Sequence, residues 1–289
     1  MLLLQIIILA AVQGLAELLP VSSSAHVVVA EKLMGLDPSS PPMTLLLVML
    51  HTGTMFAVIV YFWEQWRDTY FRSRNALKRV VALLFLASAL TGLVGGALIK
   101  FIEKMALRSL PHAEIENLFS HLELIAPALA VGGILILVAG ILEKLHRKKA
   151  PAESSDISSG QAALIGAVQG LCLPFRGFSR SGATISTGML AGVAKASAER
   201  FSFALAVVLT PAAIARESMR LAKAEHFSGY PGMAAAVMPS LLGAVCAFVA
   251  GLLALKWLSR WLEGGRWYLF GIYCLVAAVA VAALHHAGY

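Results

Sequence analysis

Two short stretches of this chain gather the groups that phosphoryl chemistry uses. The first, QGLAELLPVSSSAH, holds Gln13, Glu17, Ser22, Ser23, Ser24 and His26. The second, RGFSRSGATIS, holds Arg176, Gly177, Ser179, Arg180, Ser181 and Thr184. Guanidinium forks match phosphate oxygens, and a run of Ser, Gly and Thr completes a cradle for them. Glu17 beside that cradle would repel a polyanion unless a divalent cation lay between. Mg²⁺ or Ca²⁺ takes oxygen ligands and commonly binds through one or two carboxylates plus substrate phosphates. A serine hydroxyl or a water, with His26 nearby, supplies a nucleophile and an acid–base partner. The chemistry expected is metal-assisted phosphoryl hydrolysis, with Glu17 as the metal ligand.

Each residue also has a plainer reading. Ser22, Ser23 and Ser24 suit the cap of a helix break. His26 suits a hydrogen-bonded packing position, Glu17 and Arg180 a structural ion pair, and Arg176 a side chain reaching to a wet surface. His51, with Thr52 and Gly53 near the start of a span, could line the same cavity but is expected to pack. Arg216, Glu217 and Arg220, beyond Pro211, are expected to form an interfacial salt-bridge cluster. For Glu17 and Arg180 the cost decides. A charge inside an apolar segment costs about 2.5–3.5 kcal/mol even on the gentler insertion scales, so it suggests function by default.

The elements that must position these groups follow from composition. Of 289 residues, 59% are hydrophobic and 13% charged, too little polar surface to cover a soluble domain. Six stretches read as full spans: 43–62, 80–99, 124–143, 200–215, 237–256 and 267–286, with the fourth short and able to extend at its C-terminal end. The net charge of +7 comes without a basic helix or aromatic–basic module, so nucleic acid is not a partner. It reports orientation and attraction to anionic lipid instead. Cys172, Cys246 and Cys274 have neither metal-ligand nor disulfide-framework spacing. The first residues lack the positive start of a cleaved signal, with no Lys or Arg before Lys32, and are expected to stay.

Basic residues crowd 64–79, 144–149 and 256–266. Placing these loops in the cytoplasm makes all six spans alternate. Residues 160–195 must then enter and leave on the cytoplasmic side, and residues 2–35 on the outer side. Both polar stretches follow the same five letters, AVQGL, at 11–15 and 167–171. Each half thus reads as one re-entrant hairpin plus three spans, 1–149 and 150–289, within one integral membrane domain. Three crossings invert the second copy. The expected fold is all-α and polytopic, with six transmembrane helices and two re-entrant helical hairpins in an inverted-topology repeat whose broken helices meet near the midplane.

At these residues the chain resembles the undecaprenyl-diphosphatases, the bacitracin-resistance proteins of bacterial envelopes. QGLAELLPVSSSAH is similar to the family's glutamate-rich motif with its Pro-Val-Ser-Ser-x-x-His segment, and RGFSRSGATIS to its arginine motif. The resemblance implies a multi-pass enzyme of the bacterial plasma (inner) membrane that removes the terminal phosphate from undecaprenyl diphosphate. It further implies dependence on a divalent metal and a site facing the periplasm or exterior. In that reading Glu17 contacts metal or helps to activate the nucleophile, Ser23 is the nucleophile or a phosphate contact, His26 the acid–base or orienting group, and Arg180 the phosphate binder. Gln13, Ser22, Ser24, Arg176, Gly177, Ser179, Ser181 and Thr184 line the substrate site. Gln13 stands where the family often has Glu, Ala25 where many members have Gly, and Arg176 where many have Pro. A homodimer is left open. The rival reading is a polyprenyl-phosphate flippase or other transporter, since broken helices and inverted repeats are also transporter architecture.

Overall fold

Where water is absent a backbone must satisfy its own N–H and C=O groups, and an apolar run does so as helix. The computed structural model describes residues 3–37, 40–106, 121–146, 156–228, 233–262 and 266–288. They form α1 (Leu3–Leu18), α2 (Ser23–Leu33), α3 (Pro41–Thr69), α4 (Arg74–Ala106), α5 (Leu122–His146), α6 (Ser159–Cys172), α7 (Arg180–Leu190), α8 (Lys195–Ser228), α9 (Met233–Leu262) and α10 (Tyr268–His286). Among the described residues there is no strand. Six segments are long and apolar enough to cross a membrane: Met43–Thr69, Arg74–Met105, Leu122–Leu145, Lys195–Arg216, Val237–Trp257 and Tyr268–His286. They coincide with the six expected spans, and the helix of the fourth, α8, extends the expected 200–215 both upstream to Lys195 and downstream to Ser228. Of the expected cluster at Arg216, Glu217 and Arg220, Arg216 is exposed and the side chains of Glu217 and Arg220 lie outside those described.

Contacts between helix ends sort them into two faces. On one, Trp66 Nε1 donates to the Arg200 carbonyl at 3.2 Å, and Arg79 bonds Asp156 and the Ile157 carbonyl. Lys144 and Lys195 stand over the rings of Tyr268 and Trp267 on the same face. On the other, the two oxygens of Glu123 meet His121 Nδ1 at 2.7 Å and His285 Nδ1 at 3.6 Å. The end of α5 therefore lies by the start of α10, and the start of α5 by the end of α10.

The short helices form two hairpins. α1 and α2 pack together around a break at 19–22, and α6 and α7 around a break at 173–179. Gln161 Nε2, near the start of α6, donates to the carbonyl of Ala191 just past α7, at 2.9 Å. That hairpin begins and ends at one place. α2 and α7 also stop in the same way, each on a glycine in the left-handed region, Gly35 at φ +67° and Gly192 at φ +83°. The bonds match: Gly35 N–H to Lys32 and Leu36 N–H to Glu31, against Gly192 N–H to Met189 and Val193 N–H to Gly188. Both patterns satisfy the last helical carbonyls, and only glycine adopts that φ without strain.

The repeated pentapeptide acts at the level of packing. α1 lies against α9 and α6 against α4, each through the glycine of AVQGL. A Cβ on Gly14 would stand 2.6 Å from Ala250 Cβ, and one on Gly170 would stand 2.8 Å from Val94 Cβ. Gly170→Leu is therefore expected to separate α6 from α4 and destabilise the protein by about 1–3 kcal/mol or more, as overpacking does. Thermal unfolding in detergent reads this, and an unchanged Tm would contradict the contact. The glutamines of the same letters, Gln13 and Gln169, are buried, at 0% and 2% exposure.

Candidate active site

Both breaks end with a helix N-terminus, and the first residue of each following helix reaches the same carboxylate. Ser23, first in α2, donates its hydroxyl to Glu17 Oε2 at 2.5 Å. Arg180, first in α7, donates Nη2 to Glu17 Oε1 at 2.5 Å. Gln13, one turn before Glu17 on α1, donates Nε2 to Oε2 at 3.2 Å, as the i, i+4 spacing allows. The Ser181 hydroxyl adds a second link between the hairpins, to the Leu19 carbonyl at 3.4 Å. Glu17 and Arg180 keep 14% and 25% of their side chains exposed, so a ligand reaches them from one side.

Ser22 is the strained position that aims Ser23. It adopts φ 68° and ψ 89°, and its side chain makes no cap bond; the hydroxyl lies 3.4 Å from that of Ser24. The capping role considered for Ser22 is thus absent, and α2 begins with no side-chain acceptor from its N-cap. Free N–H groups and the helix dipole at such an end favour an anion. α7 differs, because Ser179 caps it by accepting from the Gly182 N–H at 3.2 Å.

His26 is held by both ring nitrogens. Nδ1 lies 2.7 Å from the Ser22 carbonyl, which can only accept, so Nδ1 carries the proton. Nε2, 2.7 Å from the Tyr273 hydroxyl, then accepts from it, with the rings stacked at 5.6 Å. The imidazole thereby pins the carbonyl of the left-handed residue that presents Ser23. His26→Ala is expected to lower turnover about 10²-fold by releasing that turn, the scale of a misplaced reacting group. Tyr273→Phe, which keeps the ring, is expected to cost under about tenfold, the worth of one neutral hydrogen bond. Steady-state kinetics on the two variants checks the order.

The remaining expected residues support the cradle from behind. Gly177, at φ +105°, has the Ile125 carbonyl 2.5 Å from where a Cβ would stand, so only glycine fits there against α5. Thr184 is fully buried and bonds the Arg180 carbonyl at 2.8 Å and the Ser202 hydroxyl of α8 at 2.5 Å. Arg176 acts electrostatically on Glu31 of α2, a carboxylate with 0% exposure. His51 departs from expectation. Instead of only packing, it brings Nε2 to 3.8 Å from Glu17 Oε2. The run of His51, Thr52 and Gly53 in an apolar span had offered a cavity-lining role as the alternative to packing.

The donor set suits a cation shared with substrate. Among the described residues no three His, Cys, Asp or Glu side chains converge as a metal cage. Glu17 is the carboxylate of the cluster, and beside it the Gln13 Oε1 atom is buried without a hydrogen-bond partner. One carboxylate and one orphaned amide oxygen fit a hard divalent ion whose other ligands are phosphate oxygens. Arg180 Nη1 is likewise buried without a partner, a donor left for an anion.

Fold and site together define a multi-span helical membrane protein in which a serine, a carboxylate and a guanidinium meet between two broken helices. The family model for the bacitracin resistance protein BacA matches residues 6–280. The chain is 55% identical to undecaprenyl-diphosphatase 2 of Acinetobacter baylyi, over 98% of both chains. It is 34% identical to undecaprenyl-diphosphatase 2 of Burkholderia thailandensis, over 95% of this chain and 94% of the other. It is 30% identical to the undecaprenyl-diphosphatase of Bacteroides fragilis, over 94% of each. The chain belongs to the bacitracin resistance protein BacA family.

Proposed function

We propose that this protein is an undecaprenyl-diphosphate phosphatase of the bacterial plasma membrane. It hydrolyses undecaprenyl diphosphate to undecaprenyl phosphate and inorganic phosphate, recycling the lipid carrier for cell-wall synthesis and conferring bacitracin resistance. The observation that carries this reading within the family is the convergence of Ser23 and Arg180 on Glu17.

Glu17 takes the proton from Ser23 as the Oγ attacks the terminal phosphorus. The bond from that phosphorus to the bridging oxygen breaks, and the lipid leaves as its monophosphate. Water then attacks the phosphoserine, giving inorganic phosphate and restoring the Ser23 hydroxyl. Arg180 bonds the transferring phosphoryl through the nitrogen that Glu17 leaves unused, and the N–H groups opening α2 face the same charge. A divalent cation, Mg²⁺ or Ca²⁺, when bound supplies charge neutralisation and polarises the phosphoryl group; Glu17 holds it from the protein side, with Gln13 Oε1 in reach of the same carboxylate.

The two hairpins are read as re-entrant and related by inversion, 1–149 against 150–289, with the site open towards the periplasm or exterior. Three spans separate the hairpins, three hydrogen bonds of their end caps correspond, and α1 on α9 mirrors α6 on α4. A transporter shares that architecture but has no use for a serine hydroxyl hydrogen-bonded to a buried carboxylate. Phosphate release from a C55 lipid diphosphate by purified protein, with and without chelator, tests the reading. Release that stops on chelation is expected; lipid binding with no release under Mg²⁺ or Ca²⁺ would favour transport.

A further inference from the structure

Arg180 opens α7 directly after the break at 173–179. A reacting group works only when held within about 0.5 Å of its productive place, so whatever fixes this first turn bears on the chemistry. Ser179 restrains it from within the hairpin, by accepting from the Gly182 N–H at 3.2 Å. A second restraint comes from outside. Thr184, one turn after Arg180, places its hydroxyl 2.8 Å from the Arg180 carbonyl and 2.5 Å from the hydroxyl of Ser202 on α8. A carbonyl only accepts, so the Thr184 hydrogen goes to Arg180 and Ser202 donates to Thr184. Thr184 and Ser202 both have 0% exposure, which keeps water from replacing either bond.

The hydroxyls of Thr52 and Thr210 turn back on the carbonyl four residues before, at 2.8 and 2.7 Å, the ordinary habit of a helical hydroxyl. That of Ser202 crosses to another helix. Its own position is firm. Phe201 and Phe203 on either side are each 1% exposed, and Phe203 meets the ring of Phe62 on α3 at 5.0 Å. The Arg200 carbonyl accepts from Trp66 at 3.2 Å. α8 here belongs to the core, and two hydroxyls carry that fixed reference to the main chain of Arg180. From there the guanidinium holds Glu17 through Nη2, with Nη1 buried and without a partner.

We propose that Ser202 is a positioning residue for phosphoryl transfer, acting through the Thr184 hydroxyl on the main chain of Arg180. The assignment rests on the diphosphatase reading above. Ser202 sets where the guanidinium fork stands as charge develops on the phosphoryl group, so its effect falls on kcat rather than on KM.

The test measures kcat, KM and thermal unfolding in detergent for Ser202→Ala, Thr184→Val and Thr184→Ser, with Ser240→Ala as control. Ser240, on α9, has 0% exposure and a hydroxyl without a hydrogen-bond partner, so its removal reports the loss of a buried hydroxyl alone and should leave turnover unchanged. Ser202→Ala is expected to lower kcat about tenfold with KM changed under about twofold, the worth of one neutral hydrogen bond. Thr184→Val keeps the shape, removes both bonds and should lose about thirtyfold; Thr184→Ser keeps the hydroxyl and should lose under about threefold. Thr184→Val breaks the same relay and carries the comparison should Ser202→Ala fail to fold. In an Arg180→Ala background Ser202→Ala should cost nothing further, because the group through which it acts is gone. A kcat in Ser202→Ala within about twofold of wild type, or the same loss persisting without Arg180, would overturn the proposal. Were wild type to release no phosphate, the enzyme reading would fall and this assignment with it; an active wild type indifferent to Ser202 would remove this assignment alone.

Discussion

Glu17→Gln is expected to lower phosphate release by about 10³-fold or more, within the range that a positioned general base supplies. Glutamine keeps the shape of the side chain; its one oxygen can accept from Arg180 while its amide N–H donates to the Ser23 hydroxyl. It cannot take the proton that Ser23 must lose, and it lacks the negative charge with which Glu17 would hold a divalent cation. The fold should survive, because the contacts to Ser23 and Arg180 at 2.5 Å can both be kept as hydrogen bonds, the one to Ser23 with its direction reversed. Glu17→Ala differs in kind. It strips Arg180 of its one carboxylate partner and leaves a guanidinium facing a mostly buried site. Breaking a fully buried pair costs about 3–5 kcal/mol; with both groups partly solvated, roughly 2–3 kcal/mol is expected. Turnover and thermal unfolding measured on both variants separate the two effects. A Gln variant that kept a tenth of wild-type turnover would remove Glu17 from its role as base.

Arg180→Ala is expected to lose about 10³-fold in turnover, the low end of what a transition-state arginine contributes in phosphoryl transfer. The more telling variant is Arg180→Lys. Arg180 holds Glu17 through Nη2 while Nη1 is buried without a partner, so a single planar fork serves the base and the phosphate together. Lysine is a point charge with one nitrogen and cannot do both at fixed geometry. The Lys variant should lose about 10²-fold, with kcat falling more than KM rises, since the second contact strengthens as charge develops on the phosphoryl group. Lysine working as well as arginine would mean that charge alone, not the fork, is used there.

Much of this architecture was legible in the letters because hydropathy is local. A stretch of about 20 apolar residues crosses a membrane whatever its neighbours do, and the six expected spans reappear in the structure. The breaks were legible for the same reason, as Pro20 and Pro174 each stand in a polar, small-residue run. Glu17, Ser23 and Arg180 stood out because ionisable and nucleophilic groups are costly in that setting, and the structure brings all three together. The supporting residues were less legible. Thr184 and Gly177 read as cradle members from sequence. One instead packs into α8 and the other admits α5 to the backbone, and both roles depend on partners distant in the chain.

His51 and Tyr273 show where local signal ends. A histidine in an apolar helix carries the same letters whether it packs or faces a reaction centre. What distinguishes the two is which helix lies opposite, and here that is set by how α3 packs against α1 and α8. Tyr273 looks like any aromatic in a span until its hydroxyl is found 2.7 Å from His26. By itself, then, the sequence determined the spans, the breaks and the acid, serine and guanidinium, because burial cost and hydropathy act on short windows. Only the tertiary structure decided that Glu17 is shared by α2 and α7, that His26 is bound at both nitrogens, and that His51 opens onto the site. Those outcomes depend on distances between helices, which no window of neighbouring residues contains.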